Sequence, residues 1–110
     1  MSLLSKKCVP CEGIGKPLTL DEAKQKLPEV SGWQLNKDAT VISRQFVMKN
    51  FLAAVRFIQK VAELAESENH HPDIHLTGYR NLKIELSTHA LKGLSENDFI
   101  MAAKINEIET

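Results

Sequence analysis

Cysteine is almost missing from this 110-residue chain: only Cys8 and Cys11 occur, three apart near the start, which excludes a disulfide-framework fold. Glycine and proline are scarce too, at five and four, so the chain is neither a collagen-like repeat nor a low-complexity segment. Net charge is also lacking. Lys plus Arg equals Asp plus Glu at 14 each, leaving no positive field to draw in a phosphate backbone or anionic lipid, and nucleic acid and membrane are poor partners. No apolar run is long enough to span a bilayer, and the basic opening is not followed by the apolar stretch of a secretory signal. A cytoplasmic location is therefore expected, with both cysteines kept as thiols.

What remains is an ordinary globular composition, 43% hydrophobic and 25% charged, in a length that buries one core. Residues 1–17, with Pro10, Gly13, Gly15 and Pro17 and no hydrophobic period, read as a flexible tail before a single domain over residues 18–110. Thr19 and Glu22 have the spacing of a capping box and open a short helix over 20–27, stopped by Pro28. Residues 33–35 and the β-branched run 40–47 flank Asn36, Lys37 and Asp38 as a hairpin. Asn50 caps a long helix to Ser67, in which Phe51, Val55, Ile58, Ala62 and Ala65 recur at the spacing of one buried stripe.

Pro72 cannot continue that helix and pushes His71 into extended backbone. Ile74 and Leu76, then Leu82, Ile84 and Leu86, alternate with polar residues across Gly78 and predict a second hairpin with one buried face. Ser95, with Asp98 three residues on, caps a last helix to Ile108. The predicted fold class is α+β: a four-stranded antiparallel sheet with three helices packed on one face, in the order α-β-β-α-β-β-α.

Three of the four histidines fall within six residues, at 70, 71 and 75, and the fourth is His89. For His75 alone, a solvated or locally hydrogen-bonded ring is the simplest reading. His71 and His75 are four apart, a spacing that suits zinc on a helix, but Pro72 forbids that helix. In extended chain four residues cover roughly 13 Å at about 3.3 Å each, too far for two rings to share one ion without a sharp bend. A metal-free acid/base site ranks above a metal site. Cys8-x-x-Cys11 has the spacing of half a zinc site or a redox pair, but no second pair accompanies it.

Glu66-x-x-x-His70-His71-Pro72, followed by Ser87-Thr88-His89-x-x-x-Gly93-Leu94-Ser95-x-x-Asp98, resembles the signature of pterin-4a-carbinolamine dehydratases. Gly32-Trp33 and the long helix extend the resemblance over residues 18–108. It implies that family's α+β fold, a homodimer or homotetramer, and dehydration of 4a-hydroxytetrahydropterin to quinonoid dihydropterin, in tetrahydrobiopterin recycling, with neither metal nor cofactor. It places His70 and His89 as the acid/base residues, and His71, Glu66, Trp33, Asp98, Pro72, Ser87 and Thr88 around the pterin. Many relatives carry aromatic residues where this chain has Ile74 and His75, and vertebrate-like members carry arginine where Asn97 stands; both departures bear on how the far edge of the pterin is held.

Loss of water from C4a needs a proton delivered to the departing hydroxyl and another taken from a ring nitrogen, and histidine can hold either form near neutral pH. Glu66, one helical turn before His70, is placed to favour a cationic ring there, and Asp98 to do the same for His89. Two other roles follow from the resemblance: a non-catalytic coactivator that binds a transcription factor's dimerisation region through its helical surface, or a pterin-binding relative in molybdenum-cofactor metabolism.

Overall fold

The computed structural model describes residues 3–9 and 15–109. Helix α1, Leu20–Lys26, starts where the sequence signals it: Glu22 N–H donates to Thr19 Oγ1 at 3.2 Å and Thr19 N–H to Glu22 Oε1 at 2.8 Å. Pro28 lies in a 3₁₀ turn, Leu27–Glu29, that ends it. Strands β1 (Gln34–Leu35) and β2 (Ile42–Val47) pair antiparallel around a loop whose Asn36 side chain holds the backbone of Thr40 and Val41. Helix α2, Phe51–Glu68, is capped by Asn50, which accepts from Ala53 N–H at 2.8 Å. Strands β3 (Asp73–Thr77) and β4 (Asn81–Leu86) follow, then helix α3, Glu96–Asn106, opened by the Ser95–Asp98 capping box.

All strand pairs are antiparallel and the order across the sheet is β1-β2-β4-β3. The alternation in β4 decides which face is covered. Leu82, Ile84 and Leu86 are buried opposite Phe46, Arg44 and Ile42 of β2, while Lys83 and Glu85 point away from the core. The expected α+β class and element order are thus the observed ones.

Two expectations need correction. In α2 the buried stripe is Ala54, Phe57, Val61 and Ala65; Phe51 and Val55 are 55% and 41% exposed, and Ala62 is exposed. Apolar residues occur nearly all round the first turns, so two helix phases compete. The phase adopted sets Phe57 against Phe46, with ring centroids 5.0 Å apart, and puts Ala54 and Ala65 on the buried face. A well-placed aromatic pair adds about 0.5–1.5 kcal/mol to the burial itself.

The second correction concerns the segment read as a flexible tail. Residues 3–9 lie against α3, with Leu3 buried in the core. Cys11 lies outside the described residues, so the Cys8-x-x-Cys11 reading is open only at Cys8, whose thiol is free. Among the described residues, no helix is long and apolar enough to cross a membrane.

Candidate active site

The histidine region begins where α2 ends. Asn69, not Pro72, turns the chain: it takes the left-handed conformation (φ 53°), which asparagine tolerates better than most residues, and its N–H and that of His70 both return to the Ala65 carbonyl. That reversal turns His70 inward, leaving it 8% exposed. Its Nε2 lies 2.6 Å from Oδ1 of Asp98, which is fully buried in the first turn of α3.

Asp98 is saturated with donors. Oδ2 accepts the Thr88 hydroxyl at 2.9 Å and the Ser95 N–H at 3.0 Å, and the Thr88 and Ser95 hydroxyls are 2.7 Å apart. A carboxylate accepts only, so His70 presents Nε2–H to it, and in the neutral ring Nδ1 is the nitrogen that carries the lone pair. The helix N-terminus, with its unpaired N–H groups, also favours an anion at this position.

His89 follows Thr88 of this network in sequence and is exposed. Thr88 and Gly93 form an antiparallel bridge, Thr88 N–H donating to the Gly93 carbonyl at 2.8 Å. The bridge closes a tight loop whose 3₁₀ turn, His89–Leu91, exposes the His89 ring. Lys92, at φ 53°, completes the return. Thr88 therefore links the residue that holds His70 to the residue next to it in sequence, His89. A Cβ on Gly93 would sit 2.9 Å from the Pro17 Cβ. Gly93→Ala is thus expected to displace this loop and cost about 1–3 kcal/mol, read as a lower midpoint of denaturation.

The other expected residues divide. His71 is exposed and its Nε2 pairs with Glu66 Oε2 at 2.5 Å, so Glu66 serves His71 and not His70. Asp98, expected beside His89, holds His70 instead, because Thr88 fills the other side of the carboxylate. Asp98 and Thr88, at 0% and 1% exposure, lie behind His70 and not on an open pocket wall. Pro72 and Ser87 are half-buried beside His71 and Thr88 in sequence.

Trp33 is a core residue at the far end of α3: its indole N–H donates to Asn106 Oδ1 at 2.8 Å, an oxygen shared with Arg44. Asn106 is eight residues from Asp98 along the helix, roughly 12 Å at about 1.5 Å per residue. His75 pairs with Glu85 at 2.6 Å on the uncovered face of the sheet, so the 71/75 pair engages two different glutamates. Sequence reasoning missed Ser95 as a member of the network. Its signal is the capping box, which by itself marks only a helix start.

A family model described as pterin 4 alpha carbinolamine dehydratase matches residues 16–108. The pterin-4-alpha-carbinolamine dehydratase 2, mitochondrial, of Arabidopsis thaliana is 48% identical over 97% of this chain, which spans 59% of that longer protein. A Halorhodospira halophila protein provisionally named for the same activity is 46% identical over 98% of each chain. Among solved structures, a Brucella melitensis protein described as a transcriptional coactivator/pterin dehydratase superposes with a TM-score of 0.76 at 34% identity, covering 83% of this chain and 96% of its own. A pterin dehydratase-like protein identified as a RuBisCO assembly factor in the alpha-carboxysome shares the fold, with a TM-score of 0.57 at 21% identity over 68% of this chain and 86% of its own.

Proposed function

The chain belongs to the pterin-4-alpha-carbinolamine dehydratase family, a family of hydro-lyases, and from that premise we propose that it dehydrates a 4a-hydroxytetrahydropterin to quinonoid dihydropterin by histidine acid/base catalysis. The observation that carries the reading is the buried His70–Asp98 pair at 2.6 Å. With Nε2–H engaged by the carboxylate, Nδ1 of neutral His70 is the lone pair that can take the ring-nitrogen proton. His89, exposed on its loop, supplies the proton to the departing C4a hydroxyl.

One proton is taken and one delivered, so the step balances as loss of water and needs no oxidant. His71, held by Glu66 at the surface, binds the pterin, with Pro72 and Ser87 beside it. Thr88 and Asp98 act through His70 as positioning groups, and Trp33 has a supporting role in the core. Tetrahydrobiopterin recycling is the setting this chemistry fits. A reducing compartment such as the cytoplasm fits the free Cys8 thiol, although the plant relative is named as mitochondrial.

The exposed Phe51, Leu52 and Val55 on α2 form an apolar face that suits association of copies into a dimer or tetramer. The same face is what a coactivator role would use, and the Brucella melitensis relative, described as both coactivator and dehydratase, favours keeping that second reading. The test is direct. Purified protein added to freshly generated 4a-hydroxytetrahydropterin is expected to speed the appearance of quinonoid dihydropterin, and to do so after exhaustive chelation. Activity lost with EDTA and restored by zinc would refute the metal-free mechanism, and no acceleration at all would refute the dehydratase reading.

A further inference from the structure

Residues 3–9 lie outside the family match, yet they touch both elements that carry the His70–Asp98 pair. Leu3 is anchored in the core at 5% exposure. Lys6 reaches Glu96 Oε2 at 2.8 Å, an oxygen that Lys26 approaches at 3.4 Å. Cys8 N–H donates to Glu68 Oε1 at 2.8 Å, and the second oxygen of Glu68 accepts from Lys104 at 2.7 Å. Asn97 then grips Val9 at two points: its Oδ1 accepts the Val9 N–H at 2.9 Å and its Nδ2 donates to the Val9 carbonyl at 2.8 Å.

Glu68 is the last residue of α2, two before His70, and Glu96 and Asn97 directly precede Asp98. Asn97 is 2% exposed, so its amide is spent on this grip and does not face a ligand. We propose that residues 3–9 are a positioning strap for the active site, tying the end of α2 to the start of α3 through Glu68 and Asn97 and thereby fixing the geometry in which His70 meets Asp98. The strap's effect on turnover rests on the dehydratase reading; its effect on His70 does not.

The strap is built from charge as well as shape. Burial pushes the Glu68 carboxyl up, but Lys104 and the Cys8 N–H outweigh it and hold the group below the usual carboxylate range. Lys6 does the same for Glu96, with Lys26 adding to it. Both groups are depressed in the folded chain, so what they contribute is fully present above pH 4.5 and is lost as pH falls below it. Burial and the neighbouring Glu68 push the Cys8 thiol up to about 12, so the docked thiol carries almost no thiolate at neutral pH. Cys8 is therefore a reporter of whether the strap is in place.

The experiment uses the full chain carrying Cys11→Ser, so that Cys8 is its only thiol, and compares it with the same chain bearing Leu3→Ser and Val9→Pro. The first removes the core anchor and the second the N–H that Asn97 accepts. Labelling of Cys8 at neutral pH by a thiol reagent is expected to rise at least about tenfold. The His70 ring, followed by ¹⁵N NMR, is expected to change from a single Nε2–H tautomer to a mixture. Turnover is expected to fall about tenfold with KM within about twofold, the mark of lost alignment and not of lost binding.

Fast labelling of Cys8 in the parent chain would overturn the docked strap, and a freed Cys8 with unchanged His70 tautomer would reduce it to a stabilising contact and overturn its positioning role. If the doubly altered chain does not fold, Val9→Pro alone, which leaves Leu3 in the core, decides by the same readouts. If the parent shows no dehydration, the functional reading fails while the tautomer measurement still judges the strap.

Discussion

Replacing both His70 and His89 by alanine is expected to return dehydration to its uncatalysed rate, while each single replacement lowers turnover by about 100-fold to 10,000-fold. His70 is held by Asp98, which also accepts from Thr88, the residue before His89, and each ring is proposed to make one of the two proton transfers. The carbinolamine also loses water unaided, so a single variant keeps the help of the surviving ring and stands above the double variant. His71→Ala is expected to act mainly on KM, because the role proposed for this exposed ring, paired with Glu66, is to hold substrate and transition state alike.

His75→Ala is the control: its ring is on the uncovered sheet face with Glu85, away from the buried pair, and turnover should be unchanged. Steady-state kinetics of the five variants, giving turnover and KM separately, settle the division of labour. A silent His89→Ala together with a damaging His75→Ala would move the site to residues 70–75 and overturn the assignment.

The architecture was legible in the sequence wherever a local rule had one solution. Thr19 with Glu22, Asn50, and Ser95 with Asp98 each cap a helix at the expected residue, because a side chain three residues from its backbone partner needs no tertiary information. The alternation of Leu82, Ile84 and Leu86 fixed the buried face of β4 for the same reason. The phase of α2 was not legible, since Phe51–Val55–Ile58 and Ala54–Phe57–Val61 are both credible stripes and only the position of Phe46 on a distant strand separates them.

Residues 3–9 are not legible as an ordered segment because their anchorage owes nothing to period. It consists of one leucine, the Lys6–Glu96 ion pair, and backbone groups held by Glu68 and Asn97, 60 and 88 residues away in sequence. At the site, the histidines stood out by their clustering and the acid only through the family resemblance, and neither gave their pairing. Asp98 lies nine residues from His89 and 28 from His70, and nearness in sequence favours the wrong partner until the left-handed Asn69 turns His70 under the helix.

Asp98→Asn separates electrostatic and packing roles at that partner, since the side chain keeps its shape and loses one acceptor. The Thr88 hydroxyl and the Ser95 N–H both need an oxygen, so the amide must give its carbonyl to them and turn its NH₂ towards Nε2 of His70. Nε2 then becomes the acceptor and the ring proton moves to Nδ1, the nitrogen proposed to take the substrate's proton. Turnover is expected to fall by about 100-fold or more, with KM little changed, as a wrong tautomer requires.

Stability should fall by only about 1–3 kcal/mol, the usual result of disturbing one buried hydrogen bond. Asp98→Ala would be costlier, at about 3–5 kcal/mol, because three donors lose their acceptor in a site closed to water. Glu66→Gln gives the contrast: that pair is exposed, such pairs contribute about 0–1 kcal/mol, and no tautomer of His70 depends on it. Chemical denaturation and steady-state kinetics on the three variants distinguish these effects. An Asp98→Asn chain that folds, shows His70 protonated at Nδ1 and still turns over at the parent rate would rule out Nδ1 of His70 as the base.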